Sequence, residues 1–477
     1  MRSTTTTTRG ARVRSRALVA ACTLVLGGCA TFSADGGFAP VGQAAKDRLG
    51  KEVTWVRSDG ERDRASARVA ELLAKPLSAD DAVQVALLNN RGLQAAFHEM
   101  GITEADFVQA GRLPNPGFSF ARLRRGSEIE HERGIHFNLA RLLAAPLLQQ
   151  VESRRFAQTQ ATVTMQMLSF ASETRKAYIN AVAADESVRY MQQVKSAAEA
   201  SAELARRMAS VGNWSKLQQA REQGFYADAA LNVARAERSQ VAARERLTRL
   251  MGLWGTQTQF QLPERLPDLP REANELPDVE QRAMAERLDV QAAKVGTEQL
   301  ARNLGLTRTT RFINVLEFGV VRNSSNELPT QRGYEVSLEL PLFDWGGARV
   351  AKAEAIYMQA IDRAAETAVN ARSQVREAYF AYRVGHDIAR HYRDEIVPLR
   401  KRIADENLLR YNGMLIGVFE LLADARSQIA SVGSYIEALR DFWLAQADLD
   451  MALIGPPNMS PMPSAGAQAS EAGAAAH

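Results

Sequence analysis

Between residues 147 and 211 the chain carries no proline, and nothing in its local pattern calls for a turn. At 1.5 Å per residue, a helix over this run would reach about 98 Å, far beyond the width of an ordinary globular domain. A second run, 348–410, is broken only by Pro398, which should kink the helix near Asp394 by losing one backbone bond and crowding that carbonyl. Each run ends in a short reversal, "VGNWSK" at 211–216 and "YNGMLIG" at 411–417, and a second helix returns to "LMG" and "LIG". Helices this long need an apolar partner along their whole length. Aromatic residues make up only 7% of the chain, which suits long packed helices better than a β-rich globule.

Strand-like segments precede each long run. In the first half they are "GFSFARL" (117–123), a charged loop (124–133) and "GIHFNLARL" (134–142), where Ile135, Phe137 and Leu139 alternate with His136, Asn138 and Ala140, and Pro146 closes the segment. In the second they are 311–321, a polar loop (322–333) and 334–343. There Tyr334, Val336, Leu338, Leu340 and Leu342 face one way, and Glu335, Ser337 and Glu339 the other. Pro341, Gly346 and Gly347 then read as the joint between strand and helix. Helices over about 77–112 and 279–305 lead into the two strand pairs, the first stopped by "LPNP" at 113–116.

The two halves match residue by residue. "LQAA" begins at Leu93 and "VQAA" 197 positions later, "AREQ" begins at Ala220 and "ARSQ" 205 later, and the closing glycines Gly252 and Gly455 lie 203 apart. The reading is a tandem repeat, 77–262 and 263–455, followed by a Pro/Ala/Ser/Gly-rich tail, 456–477, whose composition predicts disorder.

Residues 1–28 hold five arginines, no acid and a short apolar core, and end in "LGGC". This reads as an export signal peptide with a lipoprotein box, so that Cys29 would carry the lipid, palmitate included. Cys22 falls in the removed segment, and no disulfide remains to be formed. With Ala30 rather than Asp after the cysteine, sorting to the outer membrane is expected. Residues 30–50 read as a tether. The formal charge of +4 misleads: without the leader's five arginines, 54 basic residues face 55 acidic ones, which removes the main support for a nucleic-acid partner.

Two strands per repeat make four per chain, too few to close a barrel. In lipid an open sheet would leave edge N–H and C=O groups unpaired, at several kcal/mol each. The strands therefore either lie in water as a small sheet or are pooled by several chains, and the long helices, which need an apolar partner along their length, argue for pooling by cyclic symmetry.

The segments "GRLPNP", "LELPLFDWGGAR" (338–349), "RYNGMLIGVFELLADARSQ" (410–428) and the closing "LIG" resemble the TolC-type outer-membrane efflux channel family, in its lipoprotein branch, over about residues 77–455. The resemblance implies a mainly α fold with a small β part. Antiparallel coiled-coil helices would form an α-barrel, and four strands per chain would contribute to a trimeric 12-strand transmembrane β-barrel. It also implies a homotrimer, a periplasmic adaptor (membrane fusion) protein, an inner-membrane pump of RND type, outer-membrane lipid and no cofactor. Residues 29–76 would then be the lipidated tether and equatorial segment. The first repeat departs from the pattern, with "LARLLAAPLL" in place of the Pro-Leu-Phe joint and a more polar reversal.

Candidate site residues follow. Gly212, Gly413 and Gly417 permit tight reversals. Met414, Leu415 and Ile416 put apolar side chains at a turn that would be polar if it only faced water, and so read as adaptor-docking positions; packing against neighbouring tips in a closed state is the plain alternative. Glu420 and Asp424, four apart, are candidate aperture acids; a solvated helix face is the plain alternative. His386 and His391 are five apart and do not share a helical face as i,i+4 would. Met459, Met462 and His477 are soft-metal donors in a tail where such residues collect freely. The chain lacks a P-loop, GxGxxG, HExxH and GxSxG, so catalysis has no support. The expected function is a passive gated duct for drugs or metal ions in a tripartite efflux system. The alternatives are the channel of type I protein secretion and a non-conducting periplasmic structural lipoprotein.

Overall fold

A computed structural model describes residues 31–310, 316–338 and 343–457. The leader with Cys29, the joint residue Pro341, and Met459, Met462 and His477 lie outside the described residues. In chain order the elements are α1 (Ala39–Ala44), α2 (Asp59–Leu73), α3 (Ala79–Asn89), α4 (Arg91–Ala110), β1 (Gly117–Arg125), β2 (Glu128–Asn138), α5 (Leu139–Ser210), α6 (Lys216–Met251), α7 (Val279–Glu286), α8 (Leu288–Thr310), β3 (Leu316–Ser325), β4 (Gln331–Leu338), α9 (Gly347–His391), α10 (Val397–Asn412) and α11 (Val418–Ala452). Among the described residues no helix is long and apolar enough to cross a membrane.

The chain divides into two compact units. One gathers the residues up to Pro40, Ala96–Val163 and Ala292–Ala365. It holds a four-stranded antiparallel sheet in the order β1-β2-β3-β4. The two hairpins are stitched together at their turns: Ile129 N–H donates to Asn326 Oδ1 at 2.7 Å and Asn326 Nδ2 to the Ser127 carbonyl at 2.9 Å. The loops expected at 124–133 and 322–333 are mostly strand. Arg125 pairs with Glu128 across a turn containing Gly126 at φ +63°, and Asn323 pairs with Gln331. Charge had marked these residues as loop, yet a ladder is made by backbone groups, and a two-faced sheet can keep charged side chains on both faces.

Pro146 does not close the segment either. Helix α5 begins at Leu139, straight after β2, and contains Pro146 as its eighth residue. Asn138 makes this direct passage workable, because its Oδ1 accepts the Arg141 N–H at 2.7 Å and caps the helix. Nor are residues 30–50 a bare tether. Ser33 N–H donates to Glu104 at 2.7 Å, and Gln160 Nε2 holds the Gly37 carbonyl at 2.7 Å. Gly37, at φ +73°, lies so close to the Phe156 ring that a Cβ there would meet it at 2.2 Å.

The other unit comprises Val41–Ala95, Thr164–Gln291 and the residues from Glu366 on. Its apolar core joins Val85, Val182, Leu247 and Met251 of the first repeat to Val375, Tyr382, Leu439 and Phe442 of the second. Ser58, Ser78 and Ser215 start α2, α3 and α6 through capping boxes with Glu61, Asp81 and Gln218.

The helix expected over 77–112 breaks at Asn90, and the one over 279–305 breaks at Arg287, 197 residues later. Both breaks dock on the end of the last helix of their own repeat. Asn89 and Asn90 donate side-chain amides to the carbonyls of Gly252 (2.8 Å) and Leu250 (3.0 Å). Arg287 does this work in the second copy. Its guanidinium is 1% exposed, grips Asp289 through two bonds of 3.0 and 2.7 Å, and reaches the Ala452 carbonyl at 3.1 Å and Gln374 at 2.9 Å. The long second-repeat helix passes without a break through a π turn, Tyr392–Ile396, which contains Asp394 and lies just ahead of Pro398, the second residue of α10.

Candidate functional site

The two reversals share one backbone. In the first, Gly212 N–H bonds the Ala209 carbonyl (3.1 Å) and Asn213 N–H the Met208 carbonyl (2.9 Å), with Gly212 at φ +80°. In the second, Met414 N–H bonds Tyr411 (2.9 Å) and Leu415 N–H bonds Arg410 (2.8 Å), with Met414 at φ +59°. Both are Schellman caps, and each is followed three residues after its left-handed position by the N-cap of the returning helix.

The chemistry laid on that backbone differs. The first copy has glycine at the left-handed position and Ser215 as a bonded N-cap. The second has Met414 at the left-handed position and Gly417, whose φ is −83°, as an N-cap without a side chain. Gly413 sits one residue early, at φ −80°. The expectation that Gly413 and Gly417 supply the reversal is therefore corrected: Gly212 does so in its turn, and Met414 carries the strained conformation in the other. A non-glycine residue there costs about 1–3 kcal/mol. Met414 and Leu415 remain 92% and 76% exposed, and Ile416 is half-buried, so the strain serves no packing within the chain.

Glu420 is exposed on the first turn of α11, whereas Asp424 is half-buried and accepts a hydrogen bond from Asn407 Nδ2 across the hairpin. The two acids do not act as a matched pair. A stronger feature lies just behind them and was missed from sequence. Glu222 on α6 has a side chain 1% exposed. It accepts Arg426 Nη2 of α11 at 2.8 Å and Ser201 Oγ of α5 at 2.8 Å, and the Arg426 guanidinium also lies 4.2 Å from the centre of the Phe225 ring. This clasp ties the first-repeat hairpin to the second. Its members sit in the "AREQ" and "ARSQ" segments already recognised as equivalent, and the signal was the acid present in one copy and replaced by Ser427 in the other.

At the strand–helix joint of the second repeat, Gly346 is buried at φ +72°, its N–H bonds Asp344 Oδ1 at 2.8 Å, and its carbonyl starts α9. Gly347 is an ordinary first residue of that helix. Phe343 and Trp345 beside it are 99% and 62% exposed.

The register sorts the sheet's residues onto two faces, because directly opposed residues share a face. One face carries Phe118, Ile135, Val320 and Tyr334 in one row, then Phe137, Phe318 and Val336, then Leu316 and Leu338. The other carries Glu128, Glu130, Glu132, Glu317 and Glu335 together with Ser119, His136 and Ser337. His136 lies flat on this face, bonded to Ser119 Oγ at 2.7 Å. Gly134 and Gly319 are its floor: a Cβ on either would come within 2.8 Å of the ring.

No family model and no curated protein sequence matches the chain. Solved structures do. The CmeC outer membrane channel of Campylobacter jejuni matches at 15% identity over 82% of this chain and 88% of its own, with a TM-score of 0.67. The Neisseria gonorrhoeae MtrE outer membrane channel, in its open state, matches at 20% identity over 80% and 90%, with a TM-score of 0.65. CusC, a transmembrane channel, matches at 16% identity over 79% and 92%, with a TM-score of 0.66.

This chain has the outer-membrane channel fold.

Proposed function

We propose that the protein is the outer-membrane duct of a tripartite efflux system. Three copies pool their strands into a 12-strand barrel and their hairpins into an α-helical tunnel. The tunnel meets a periplasmic adaptor and, beyond it, an inner-membrane pump. The chain supplies no energy and does no covalent chemistry. Cys29 carries the lipid that holds each copy to the membrane while the barrel assembles.

The observation that carries this reading is the sheet itself. Its outermost strands, β1 and β4, each keep one edge unpaired in the strand order, and one face exposes an apolar surface including Phe118 at 71% and Tyr334 at 76%. In water such a sheet is an aggregation hazard, and alone in lipid it is untenable. Joining β4 of one copy to β1 of the next removes both difficulties, with the apolar face toward lipid and the glutamates toward the lumen. Five glutamates against Arg125 on that face favour cationic cargo, whether metal ions or basic drugs.

Met414, Leu415 and Ile416 are the adaptor-docking surface. The Arg426–Glu222 clasp holds the tip closed, and docking of the adaptor competes with it. Glu420, exposed at the start of α11, faces the entrance. Single-channel recording in planar bilayers tests the reading. Trimers of the full chain should conduct, with cations preferred over anions, and the absence of conductance even in clasp variants would refute it.

A further inference from the structure

The charges on the sheet are segregated more completely than a lumen and a lipid face require. On the apolar face the strands carry Arg122, Arg124, Arg133, Arg322 and Arg332 and no acid; the acids all lie on the opposite face. Three of these arginines stand side by side, since Arg133 pairs with Arg322 and Arg322 with Arg332 across β2, β3 and β4. Directly opposed side chains on neighbouring strands sit about 5 Å apart at Cβ, close enough for like charges to repel. Arg122 occupies the next row, opposite His131. All five arginines are exposed, and among the described residues Arg122, Arg133, Arg322 and Arg332 form no ion pair. Arg124 only donates to the Gly126 carbonyl at 3.2 Å.

Position completes the pattern. The arginine row lies on the hairpin-turn side of the apolar rows, away from the strand ends that continue into helices. Phe120 shares its row, and Phe118, Ile135, Val320 and Tyr334 form the next. A ligand that fits this surface is anionic at one end and apolar at the other, and it offers several oxygens to planar guanidiniums.

We propose that this arginine row binds the phosphate groups of a lipid headgroup in the outer leaflet, while the acyl chains lie along the aromatic and aliphatic rows beneath. The inference rests on the reading of the sheet as part of a membrane barrel. A free phosphate would satisfy the guanidiniums but leave the adjoining apolar rows without a partner, so the lipid is the occupant assigned. Three copies would give three such sites around the barrel. Headgroup binding removes the mutual repulsion of Arg133, Arg322 and Arg332 and thereby strengthens the strand pairs they sit on.

Native mass spectrometry of the full chain in detergent, titrated in separate arms with bisphosphorylated lipid A, dephosphorylated lipid A and inorganic phosphate, tests this. The expected result is at least tenfold tighter retention of the phosphorylated lipid than of the dephosphorylated one, weakening as salt is raised. The triple variant R133Q/R322Q/R332Q should lose that difference, and R125Q, on the other face, should keep it. Equal retention of the two lipids by the wild type overturns the proposal without recourse to any variant. So does a triple variant that still discriminates between them, and so does inorganic phosphate binding as tightly as the lipid. Planar-bilayer recording of the same preparation separates the levels. A wild type that ignores lipid phosphates while it or its R426A variant conducts refutes this inference alone, and absence of conductance in both refutes the barrel reading and this inference with it.

Discussion

Replacing Arg426 with alanine leaves the Glu222 carboxylate in its buried place with Ser201 Oγ as its remaining side-chain partner. Removing one member of a fully buried ion pair costs about 3–5 kcal/mol. The Arg426 side chain is 36% exposed, so solvent already screens part of the pair, and about 2 kcal/mol is the better figure. Loss of the stacking on Phe225 adds to the same side. If the clasp exists only in the closed tip, R426A raises the open-to-closed ratio by about thirtyfold. The assay is single-channel open probability in planar bilayers, with the thermal midpoint of the unfolding transition measured in parallel. E222Q should open the tip less than R426A, because the amide oxygen still accepts from Arg426 while the amide NH2 can donate to Ser201 Oγ. The double variant E222A/R426A should show a coupling energy of 0.5 kcal/mol or more, about the smallest that contacting residues give. An R426A protein that folds, assembles and keeps the wild-type open probability would refute the argument, since the clasp would then hold nothing that moves.

Three further outcomes follow from single sites. M414G should raise the thermal stability of the tip by up to about 1 kcal/mol, because relief of left-handed strain outweighs the added chain entropy of glycine, and it should weaken adaptor cross-linking by removing a side chain 92% exposed. R287M should cost about 3–5 kcal/mol in denaturant unfolding, since Asp289 and the Ala452 carbonyl lose a buried partner, and R287M/D289N should recover part of it. Asp450 keeps an exposed edge, yet the cleft wall it shares with Ala447 and Met451 strips water from its carboxyl and holds it above the usual 3.8, with Arg175 opposing the shift. The folded state therefore binds that proton more tightly, and stability falls as pH rises from 3.8 through the higher folded value. D450N should stabilise the chain at pH 7 and make no difference below pH 3, measured by thermal melts across that range.

The helical architecture was legible because its signals are local and repeated. Proline-free runs, the "VGNWSK" and "YNGMLIG" reversals and the alternation of Tyr334, Val336 and Leu338 each report one element without reference to the rest. The capped start at Ser58 was equally local but was passed over inside a segment read as tether. What could not be seen depends on partners distant in the chain. The strands extend through 124–125 and 128–133 because of cross-strand bonding, and their charges argued for loop. Pro146 looked like a terminator because the Asn138 cap that starts α5 eight residues earlier acts through geometry. Gly413 and Gly417 looked like the flexible residues of the second reversal, yet the Schellman register puts the left-handed position on Met414, between them. Glu222 and Arg426 lie 204 residues apart and meet only because the two repeats pack as neighbours. Arg133, Arg322 and Arg332 were each visible as charges, and only the strand register brings them into one row.

The claim on which the account stands is that β1 of one copy pairs with β4 of another. Within one chain those strands are three strand spacings apart, about 14 Å, which is beyond the reach of a disulfide. Single cysteines placed in pairs along the two edges, for example S119C with S337C and its neighbours in register, and oxidised in native outer membranes, report the contact directly. The account predicts that one register yields covalently closed trimers on a denaturing gel. A full scan that yields only monomers, in membranes where the protein is folded and abundant, would contradict it.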